Sequence, residues 1–536
     1  MLDRLRKVPF DVVVIAFGCI AVTFWLKARL GLNLADEGFR WYGTLHTALG
    51  EVPMRDFQSY DPGRYYWGAL WFKLLRNDSI MALRVAEAAF QFIGMCFGLM
   101  VLRRRVFSKW WALAAAGVVL WIWMGVYEAG TILAALYFAV LLIEQPSLLR
   151  HFGAGVFVGF ASFFGRNLGL YTAVSFFALI LFIQFKFDRG KLRRRLLIWL
   201  LGIVVGYLPM LVMMAFVPGF LHAVIDAVWF NLSVATRLPL PVPWPWRADY
   251  AHINPGAAAS AFAIGMLYLL VPVSYLAGVM HLLKTKDDLR RKAVLIASVF
   301  VGIAFLHYTF SRASFSYLAI TIHPVLIGLM ALPVSFSQRH RRALTIGAWA
   351  FIIIVSRVTV WEAGWKAHGW PLNAAMKAML VNRYQGSYDL AYQDYGLVRT
   401  RISGDDLWLP PDESLMVNNM KALVQRNVPP NETILIAPYW PTFYPILGKK
   451  SPVWEIYFLF PQSKEKQNQM IADLSRNNVN WAIVCNQRLD SREELSFSHT
   501  NNYVWQYLME NFEPVDVDWL PKDCQWRHRT EKIDVK

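Results

Sequence analysis

The chain reads Val8-Pro-Phe-Asp-Val-Val-Val-Ile-Ala-Phe-Gly-Cys-Ile-Ala-Val-Thr-Phe-Trp-Leu26 and, a few residues later, Gly31-Leu-Asn-Leu-Ala-Asp-Glu-Gly-Phe-Arg40. The first stretch has the length of roughly 20 apolar residues that a helix needs to cross a bilayer. No small-residue cleavage site follows it, so we interpret it as a retained first span and not as a signal peptide. The second stretch then begins a loop outside the bilayer, and this loop carries two adjacent carboxylates.

Similar apolar runs recur along the whole chain. Of its 536 residues, 56% are hydrophobic and only 17% are charged, which is more apolar mass than a soluble domain of this length carries. Eleven runs can be marked, at residues 8–27, 80–102, 110–127, 129–144, 152–166, 170–186, 196–217, 259–281, 293–309, 317–335 and 343–360. The sequence therefore predicts a polytopic α-helical membrane protein of about eleven spans.

The basic residues predict the orientation of the chain. The net charge of +17 is concentrated in short clusters between the apolar runs. They lie at the N-terminus, at residues 103–105, at Arg150, and at residues 186–195, 284–292 and 339–342. Because these clusters fall on every second loop, they and the N-terminus are expected in the cytoplasm, and we expect no nucleic-acid partner. Loops 28–79 and 218–258 and the tail would then lie outside the cytoplasm, at the inner (plasma) membrane.

Two apolar stretches, 110–144 and 152–185, are too long for one span and short for two. Since Arg105, Arg150 and Lys186 should share one side of the membrane, each stretch must contain an even number of spans. Two short helices in each stretch satisfy this condition. The charged residues in the middle of the two stretches are then expected at the turns.

The tail differs in pattern and predicts a second domain. We expect a transmembrane catalytic domain over residues 1–360 and an extracytoplasmic soluble α/β domain over residues 361–536. The patterned segments are the strand runs Thr433–Ala437 and Trp481–Cys485 and the helical stretch Gln467–Asn477. Cys485 and Cys524 could pair in an oxidising compartment, but their spacing alone does not decide it.

Asp36 and Glu37 follow the apolar core of the first span by about ten residues. Such a pair has an ordinary explanation as a solvated loop start or as a helix N-terminus, which favours acids. It also has a functional one, as a general base or metal ligand in a cleft at the membrane surface. The same loop contains Tyr60-Asp-Pro-Gly-Arg-Tyr-Tyr-Trp67, in which Pro-Gly is expected to form a tight turn. That turn either anchors interfacial aromatics or presents Arg64 to an anionic group.

Further charged residues are expected on the same side of the membrane. Glu128, Arg166 and Arg312 are explained either by solvation or snorkelling at helix ends, or by a role in the site. Carboxylates and arginines at one membrane face suit a reaction on a lipid-linked phosphate. A carboxylate can accept a proton from an attacking hydroxyl, and arginines can hold the phosphate. His323-Pro324 predicts a kinked span, and the proline-rich Leu238–Arg247 is either a surface strap or a cover over the acceptor site.

Other chemistries lack a motif in this sequence. There is no Walker A loop, no H-E-x-x-H, no G-x-S-x-G elbow and no Cys/His zinc spacing, which argues against an ATP-driven pump. Two functions other than a reaction on a lipid-linked phosphate remain open. A transporter or flippase of lipid-linked glycans would place charges inside its spans along a pathway. A non-catalytic glycan-assembly scaffold would not depend on Asp36.

The chain resembles the GT-C superfamily of membrane glycosyltransferases, and within it the group of protein O-mannosyltransferases and lipid A aminoarabinose transferases. The resemblance rests on Asp36-Glu37 in a long first extracytoplasmic loop and on the later Tyr60-x-Pro-Gly-Arg-Tyr65 stretch. It is supported by Glu128 in the second such loop and by a soluble domain after the last span. The motifs that match are short, whereas the similarity of architecture covers the whole chain.

This resemblance implies an inverting glycosyltransferase that moves a sugar from a polyprenyl-phosphate donor to an envelope lipid, glycan or protein. Asp36 matches the family's catalytic acid position and would be the base, while Glu37 and Glu128 would orient substrates or bind a metal. If a divalent ion such as Mg²⁺ or Mn²⁺ is used, Asp36 and Glu128 are its expected ligands. The residues expected to bind the phosphate and the donor are Arg64, Arg166, Arg312, Tyr60 and Tyr65. Arg166 stands where relatives often carry lysine, which keeps the charge and changes its geometry.

Overall fold

The computed structural model describes residues 9–186, 192–233, 238–284, 290–336, 338–359 and 396–530. Its contacts divide the chain into two compact units. The membrane unit comprises Met1–Lys27, Val85–Val212 and Arg237–Leu372, and the second, which we call the Asp36 unit, comprises Ala28–Arg84, Met213–Thr236 and Asn373–Lys536. Residues 360 and 361 lie outside the described residues, so the domain boundary between them stays a prediction.

Several of the described helices are long and apolar. Seven of them could each cross a membrane: Phe10–Lys27, Ile80–Arg105, Tyr127–Glu144, Arg166–Lys186, Pro255–Lys284, Ala293–Ser311 and Arg341–Thr359. Two further candidate spans are bent pairs of helices, Leu192–Gly206 with Leu208–Phe216 at 56° and Phe315–Thr321 with His323–Ser335 at 46°. The chain is therefore a multi-pass helical membrane protein, as its sequence predicts.

The two overlong apolar stretches each divide into two helices, as the charge pattern requires. The first forms Trp110–Ile122 and Tyr127–Glu144, and the second forms Leu148–Phe164 and Arg166–Lys186. Each of the eleven predicted runs thus corresponds to a helix or to a bent pair. Glu128 was expected in the turn of the first hairpin, but it lies in the first turn of a helix, where the positive end of the helix dipole favours an acid. A further apolar helix, Phe220–Ser233, was not predicted.

Both broken spans bend next to a proline. Pro209 and Pro324 are the second residues of Leu208–Phe216 and His323–Ser335. At the start of a helix the missing proline N–H removes no helical hydrogen bond, so the second segment forms at an angle to the first. The kink predicted at His323-Pro324 is present, and the His323 ring contacts the Ile320 carbonyl oxygen through Nδ1 at 3.2 Å.

Glycines allow two helices of the membrane unit to cross at backbone distance. Leu148–Phe164 carries Gly155 and Gly159, and Leu192–Gly206 carries Gly202 and Gly206, each pair spaced four residues apart. A Cβ atom on Gly155 would lie 3.0 Å from the Gly202 Cα and would collide with the opposite backbone. Small residues at this spacing let membrane helices approach until their backbones are in contact.

We expect Gly159→Ala to destabilise the membrane unit by about 1–3 kcal/mol. Its new methyl group would collide with the Ile203 carbonyl oxygen and lie 2.6 Å from the Tyr207 amide nitrogen. The matched control is Gly153→Ala on the same helix, because a Cβ there has nothing within 4 Å. The control should be neutral or slightly stabilising, since alanine favours helix. Thermal unfolding in detergent measures both variants, and equal midpoints would contradict the close crossing.

The Asp36 unit is a mixed α/β structure. Its helices are Asp36–Ala48, Pro62–Leu75, Phe220–Ser233, Pro411–Asn427, Phe443–Leu447, Lys464–Arg476, Phe497–Thr500 and Asn502–Asn511. Its strands are β1 (Val398–Ile402), β2 (Asp405–Leu409), β3 (Ile434–Ala437), β4 (Trp481–Cys485), β5 (Phe512–Val515) and β6 (Cys524–Arg529). β1 and β2 form a hairpin, and the other strands form a sheet in the order β3-β4-β6-β5.

The strand, helix and strand predicted for the tail are present. β3 and β4 are parallel and are connected through Lys464–Arg476, while the β4–β6 and β5–β6 pairs are antiparallel. Cys485 and Cys524 are directly opposite each other in β4 and β6 and form a disulfide. The pairing that the sequence left open is therefore present in the structure.

The first loop packs with the tail in one hydrophobic core. Trp41 and Tyr42 of the helix Asp36–Ala48 are buried in the same cluster as Ile436 and Trp526 of the sheet. Residues 28–79, expected as a loop, therefore contain two packed helices. The tight turn expected at Pro62 is instead the start of the helix Pro62–Leu75, because the fixed φ of proline suits the first helical position.

Candidate active site

Asp36 is the first residue of its helix and Glu37 is the second. The Asn33 side chain accepts hydrogen bonds from the amides of Ala35 and Asp36, both at 2.9 Å, and so provides an acceptor for two amides at the helix start. The Asp36 side chain is exposed, whereas that of Glu37 is buried. Two adjacent carboxylates therefore occupy different environments, and the positive end of the helix dipole favours the charge on both.

Glu37 is held by an arginine that the sequence analysis did not single out. Arg84 Nε donates to Glu37 Oε1 at 2.7 Å and Nη2 donates to Oε2 at 2.8 Å. The same guanidinium donates to the carbonyl oxygens of Ala28 and Gly31, at 2.5 Å and 2.8 Å. Burial alone would raise the pKa of Glu37, but the Arg84 charge and hydrogen bonds hold that pKa below its usual value. Arg84 thus fixes the chain just before Asp36.

The start of this helix lies directly against the tail. Thr442 Oγ1 donates to the Leu34 carbonyl oxygen at 2.7 Å, and the Thr442 amide donates to the same oxygen at 3.3 Å. A Cβ on Gly38 would collide with the Thr442 side chain and backbone. Only glycine allows this approach, so the position of Asp36 is set by contacts with residues some 400 positions away in the chain.

Asp36 has one hydrogen-bond donor from the tail. Tyr457 donates its hydroxyl to Asp36 Oδ1 at 3.3 Å, and Gln58 Oε1 accepts the Tyr457 amide at 2.9 Å. Burial, and then the nearby Asp36 carboxylate, raise the pKa of Tyr457, so its hydroxyl stays protonated and remains a donor. An exposed carboxylate oriented by a neutral donor retains the ability to accept a proton.

An aromatic cluster connects Asp36 with Arg64. Phe39, one turn after Asp36, contacts the rings of Tyr457 and Tyr60 at centroid distances of 5.7 Å and 5.0 Å. The Arg64 guanidinium lies 5.2 Å from the Tyr60 ring centroid, a cation–π arrangement. The structure therefore gathers Asp36, Tyr60 and Arg64 around one cluster, as the sequence analysis expects.

Tyr65 is placed differently from Tyr60 in the structure. Its side chain is 1% exposed and packs against Gly43 and Phe57, and its hydroxyl oxygen accepts the Tyr60 amide at 3.1 Å. Tyr60 is 42% exposed. Because the Tyr65 ring lies in the core, we assign it to packing rather than to the donor contact implied by the resemblance.

The remaining predicted site residues belong to the membrane unit. Glu128 lies in the first turn of the helix Tyr127–Glu144, and Arg166 begins the helix Arg166–Lys186. The ring of Tyr127, next to Glu128, contacts the ring of Phe164, two residues before Arg166, at a centroid distance of 6.2 Å. Arg312 follows the helix Ala293–Ser311, and its Nη1 donates to the carbonyl oxygen of Leu238 at 3.1 Å. All three charged side chains are half-buried.

Leu238 begins the proline-rich stretch that was expected as a surface strap or as a cover over the acceptor site. Pro243 and Pro245 lie so close to Gly265 of the helix Pro255–Lys284 that a Cβ there would be 2.6 Å from the Pro243 oxygen. The Trp244 ring contacts Phe310 at a centroid distance of 6.5 Å. The stretch is therefore packed against helices of the membrane unit, as a strap would be.

Metal binding finds limited support in these side chains. Among the described residues, no group of three or more His, Cys, Asp or Glu side chains is placed to hold a metal ion. Both Glu37 oxygens accept from Arg84, so Glu37 does not fit as a ligand. We therefore route no step of the chemistry through a metal.

Sequence reasoning missed Arg84, Thr442 and Tyr457 as parts of this site. Arg84 had a usable signal, because a charge inside the apolar run 80–102 is costly unless it is paired or functional. Thr442 and Tyr457 had none, since nothing in the local sequence of the tail indicates a contact with the first loop.

The described chain thus consists of a helical membrane unit and an α/β unit. No family model matches the chain, and no curated protein matches it in sequence. Among solved structures, the chain is similar to ArnT from Cupriavidus metallidurans bound to undecaprenyl phosphate. The identity is 14%, the match covers 97% of this chain and 98% of ArnT, and the TM-score is 0.53.

The chain also matches the archaeal oligosaccharyltransferase AglB from Archaeoglobus fulgidus, in complex with an inhibitory peptide and a dolichol-phosphate. That match has 13% identity and a TM-score of 0.44, and it covers 97% of this chain and 76% of AglB. The likeness to ArnT confirms the predicted GT-C-like fold. At this level of identity it establishes the fold and not the reaction.

Proposed function

We propose that this protein is an inverting glycosyltransferase. It moves a sugar from a polyprenyl-phosphate donor to an envelope lipid, glycan or protein acceptor at the extracytoplasmic face of the plasma membrane. The observation that carries this proposal is the exposed Asp36 carboxylate, which starts a tightly held helix and accepts a hydrogen bond from Tyr457. The solved structure with a similar fold holds undecaprenyl phosphate, a lipid carrier of this class.

In the proposed reaction Asp36 acts as the general base. Its carboxylate takes the proton of the acceptor hydroxyl as that oxygen attacks the anomeric carbon of the sugar. The bond between the anomeric carbon and the phosphate oxygen breaks on the opposite face, and its electron pair leaves with the polyprenyl phosphate. One bond forms as one breaks, so the configuration at the anomeric carbon inverts.

The leaving phosphate requires positive charge. Arg64 is the candidate, because its guanidinium lies over the Tyr60 ring, and that ring contacts Phe39 one turn after Asp36. A guanidinium can donate two parallel hydrogen bonds to a phosphate and stabilise the negative charge that develops there. Arg166 and Arg312 are proposed as further phosphate ligands, and Glu128 as a group that orients the substrate.

Glu37 is proposed as a positioning residue rather than a base. Its carboxylate is ionised and fully engaged by Arg84, so it has little tendency to accept a further proton. Together the pair holds residues 28–37 in one conformation. In this proposal Glu37 orients the start of the helix, and Asp36 accepts the proton.

The extracytoplasmic location of the site rests on two observations. Basic clusters alternate along the sequence, which favours a non-cytoplasmic first loop and tail. The Asp36 unit contains the disulfide Cys485–Cys524, and disulfides persist mainly in oxidising compartments. Both favour a site that faces away from the cytoplasm.

The direct test is transfer by the purified full chain in detergent. Supplied with a polyprenyl-phosphate sugar and candidate acceptors, it should form a glycoside of inverted configuration and release polyprenyl phosphate. Movement of the lipid-linked glycan across a vesicle bilayer without cleavage would favour a transporter instead. Absence of any reaction, with the chain needed only to assemble other enzymes, would favour a scaffold.

We expect Arg64→Ala to lower kcat/KM for the donor by about 10- to 100-fold, because a charge-assisted contact to the phosphate is lost. The control is Lys73→Ala, which removes an exposed cation from the same helix. Kinetics over a range of donor concentrations measure both variants. Equal losses in the two would show that Arg64 acts only through general surface charge.

A further inference from the structure

The membrane unit contains a cavity of about 430 Å³ that the proposed reaction does not use. We call it the Lys109 cavity. Its lining includes Phe107, Lys109, Trp111, Met330, Arg341 and Trp349. The volume falls in the range of roughly 300–1,000 Å³ that is usual for small-molecule sites. Apart from a few polar groups, its walls are apolar and aromatic.

Two cations lie in the lining of this cavity. Lys109 immediately precedes the helix Trp110–Ile122, and Arg341 is the first residue of the helix Arg341–Val355. Within the part of the chain that the structure describes, neither has an acidic partner, and Lys109 lies 5.8 Å from the centroid of the Trp111 ring. The amino ends of both helices add positive partial charge at the same place.

The segment that carries Lys109 is held in a defined shape. Arg103 Nε pairs with Asp11 Oδ2 at 2.7 Å, and its Nη1 donates to the carbonyl oxygens of Phe107 and Ser108. The Phe107 ring packs against Trp349 at a centroid distance of 6.1 Å. Asp11 is thereby engaged with Arg103, and the segment before Lys109 is fixed against two helices.

An apolar cavity that is lined by two cations fits an amphiphile with a negative headgroup. A soluble phosphate would gain from the cations and not from the aromatic walls, whereas a lipid gains from both. Basic pockets between membrane helices are known to bind anionic lipid headgroups. Lys109 and Arg341 also belong to loops that the charge pattern assigns to one side of the membrane.

We propose that the Lys109 cavity binds one anionic glycerophospholipid. Its phosphate lies between Lys109 and Arg341, and part of an acyl chain lies along Trp111, Ala115 and Met330. This site is separate from the residues assigned to sugar transfer, so the inference does not depend on the proposed function. Bound lipid would tie the segment 106–111 to the start of the helix Arg341–Val355.

The test is native mass spectrometry of the full chain with phosphatidylglycerol or with phosphatidylcholine of the same acyl chains. Replacing both cations, Lys109→Gln with Arg341→Gln, should weaken phosphatidylglycerol binding about 25-fold, since each cation contributes roughly fivefold. Phosphatidylcholine binding should be unchanged. The control is Arg194→Gln, an exposed cation outside the cavity, which should bind like the wild type.

A second variant tests the apolar wall without changing charge. Ala115→Phe fills the cavity from an exposed position and should abolish retention of phosphatidylglycerol while leaving the thermal midpoint unchanged. This variant decides the matter if the double substitution does not fold. Undiminished phosphatidylglycerol binding by either folded variant would overturn the proposal. So would equal loss of both lipids on removing the cations, or displacement of the lipid by inorganic phosphate.

Discussion

Asp36→Asn is expected to lower kcat for sugar transfer by about 10²- to 10⁴-fold, the range that general base catalysis contributes. The amide has the shape of the carboxylate and keeps an oxygen that can accept the Tyr457 hydroxyl. It cannot take a proton from the acceptor. The KM for the donor should change little, because in the proposed mechanism Asp36 contacts the acceptor hydroxyl and not the phosphate.

The control for this variant is Asp78→Asn, an exposed acid of the same unit. Both variants should keep the thermal midpoint of the wild type, since the Asp36 side chain is exposed and its hydrogen bond with Tyr457 is long, at 3.3 Å. Steady-state kinetics with a polyprenyl-phosphate sugar and an identified acceptor provide the measurement. Transfer at the wild-type rate by Asp36→Asn would refute the base assignment, whatever the rate of the other variants.

Features of the fold that depend on local pattern could be predicted from the sequence. One uninterrupted apolar run is enough to predict a membrane span. Two short apolar runs with a helical pattern between them are enough to predict a pair of parallel strands. The parity of the overlong stretches followed from charges at Arg105, Arg150 and Lys186, because the bilayer forces alternation between its two sides. These properties need no knowledge of distant contacts.

The first loop shows where this reasoning stops. Residues 28–79 have too few apolar residues for a span, and so they read as a loop. In the structure the helix Asp36–Ala48 is nonetheless well buried, because the tail covers it. Pro62 correctly indicated that a new local structure begins there, but proline begins both turns and helices. Contacts with distant parts of the chain determine that a helix forms at Pro62.

For the candidate site, the sequence indicated the exposed side chains but not the residues that hold them in position. Asp36, Tyr60 and Arg64 were expected together and do share one aromatic cluster. Glu37 was expected to act on a substrate, but its partner Arg84 is 47 residues away, and the Tyr457 donor to Asp36 is 421 residues away. A motif can name a carboxylate as a candidate, whereas its protonation and orientation depend on neighbours that folding brings from elsewhere.

Arg84→Gln should destabilise the Asp36 unit by about 3–5 kcal/mol, because it leaves a buried carboxylate without its counter-charge. The side chains of Arg84 and Glu37 are each only 11% exposed, so solvent screens the pair weakly. The carbonyl oxygens of Ala28 and Gly31 also lose a donor. The control is Arg426→Gln, an exposed arginine on the helix Pro411–Asn427.

The dependence on pH separates this explanation from a general loss of packing. In the wild type the folded-state pKa of Glu37 is lowered, so the pair stabilises the fold above the unfolded pKa of about 4.3, and this contribution is lost as pH falls. Without Arg84, burial should instead raise that pKa, and the variant should then be destabilised most at neutral pH. The difference in thermal midpoint between wild type and Arg84→Gln should therefore narrow on acidification from about pH 7 to about pH 4.

Glu37→Gln combined with Arg84→Gln should recover part of the loss at neutral pH, because no buried charge remains. A difference that is the same at both pH values, with no recovery in the double variant, would mean that the ion pair does not hold the start of the Asp36 helix.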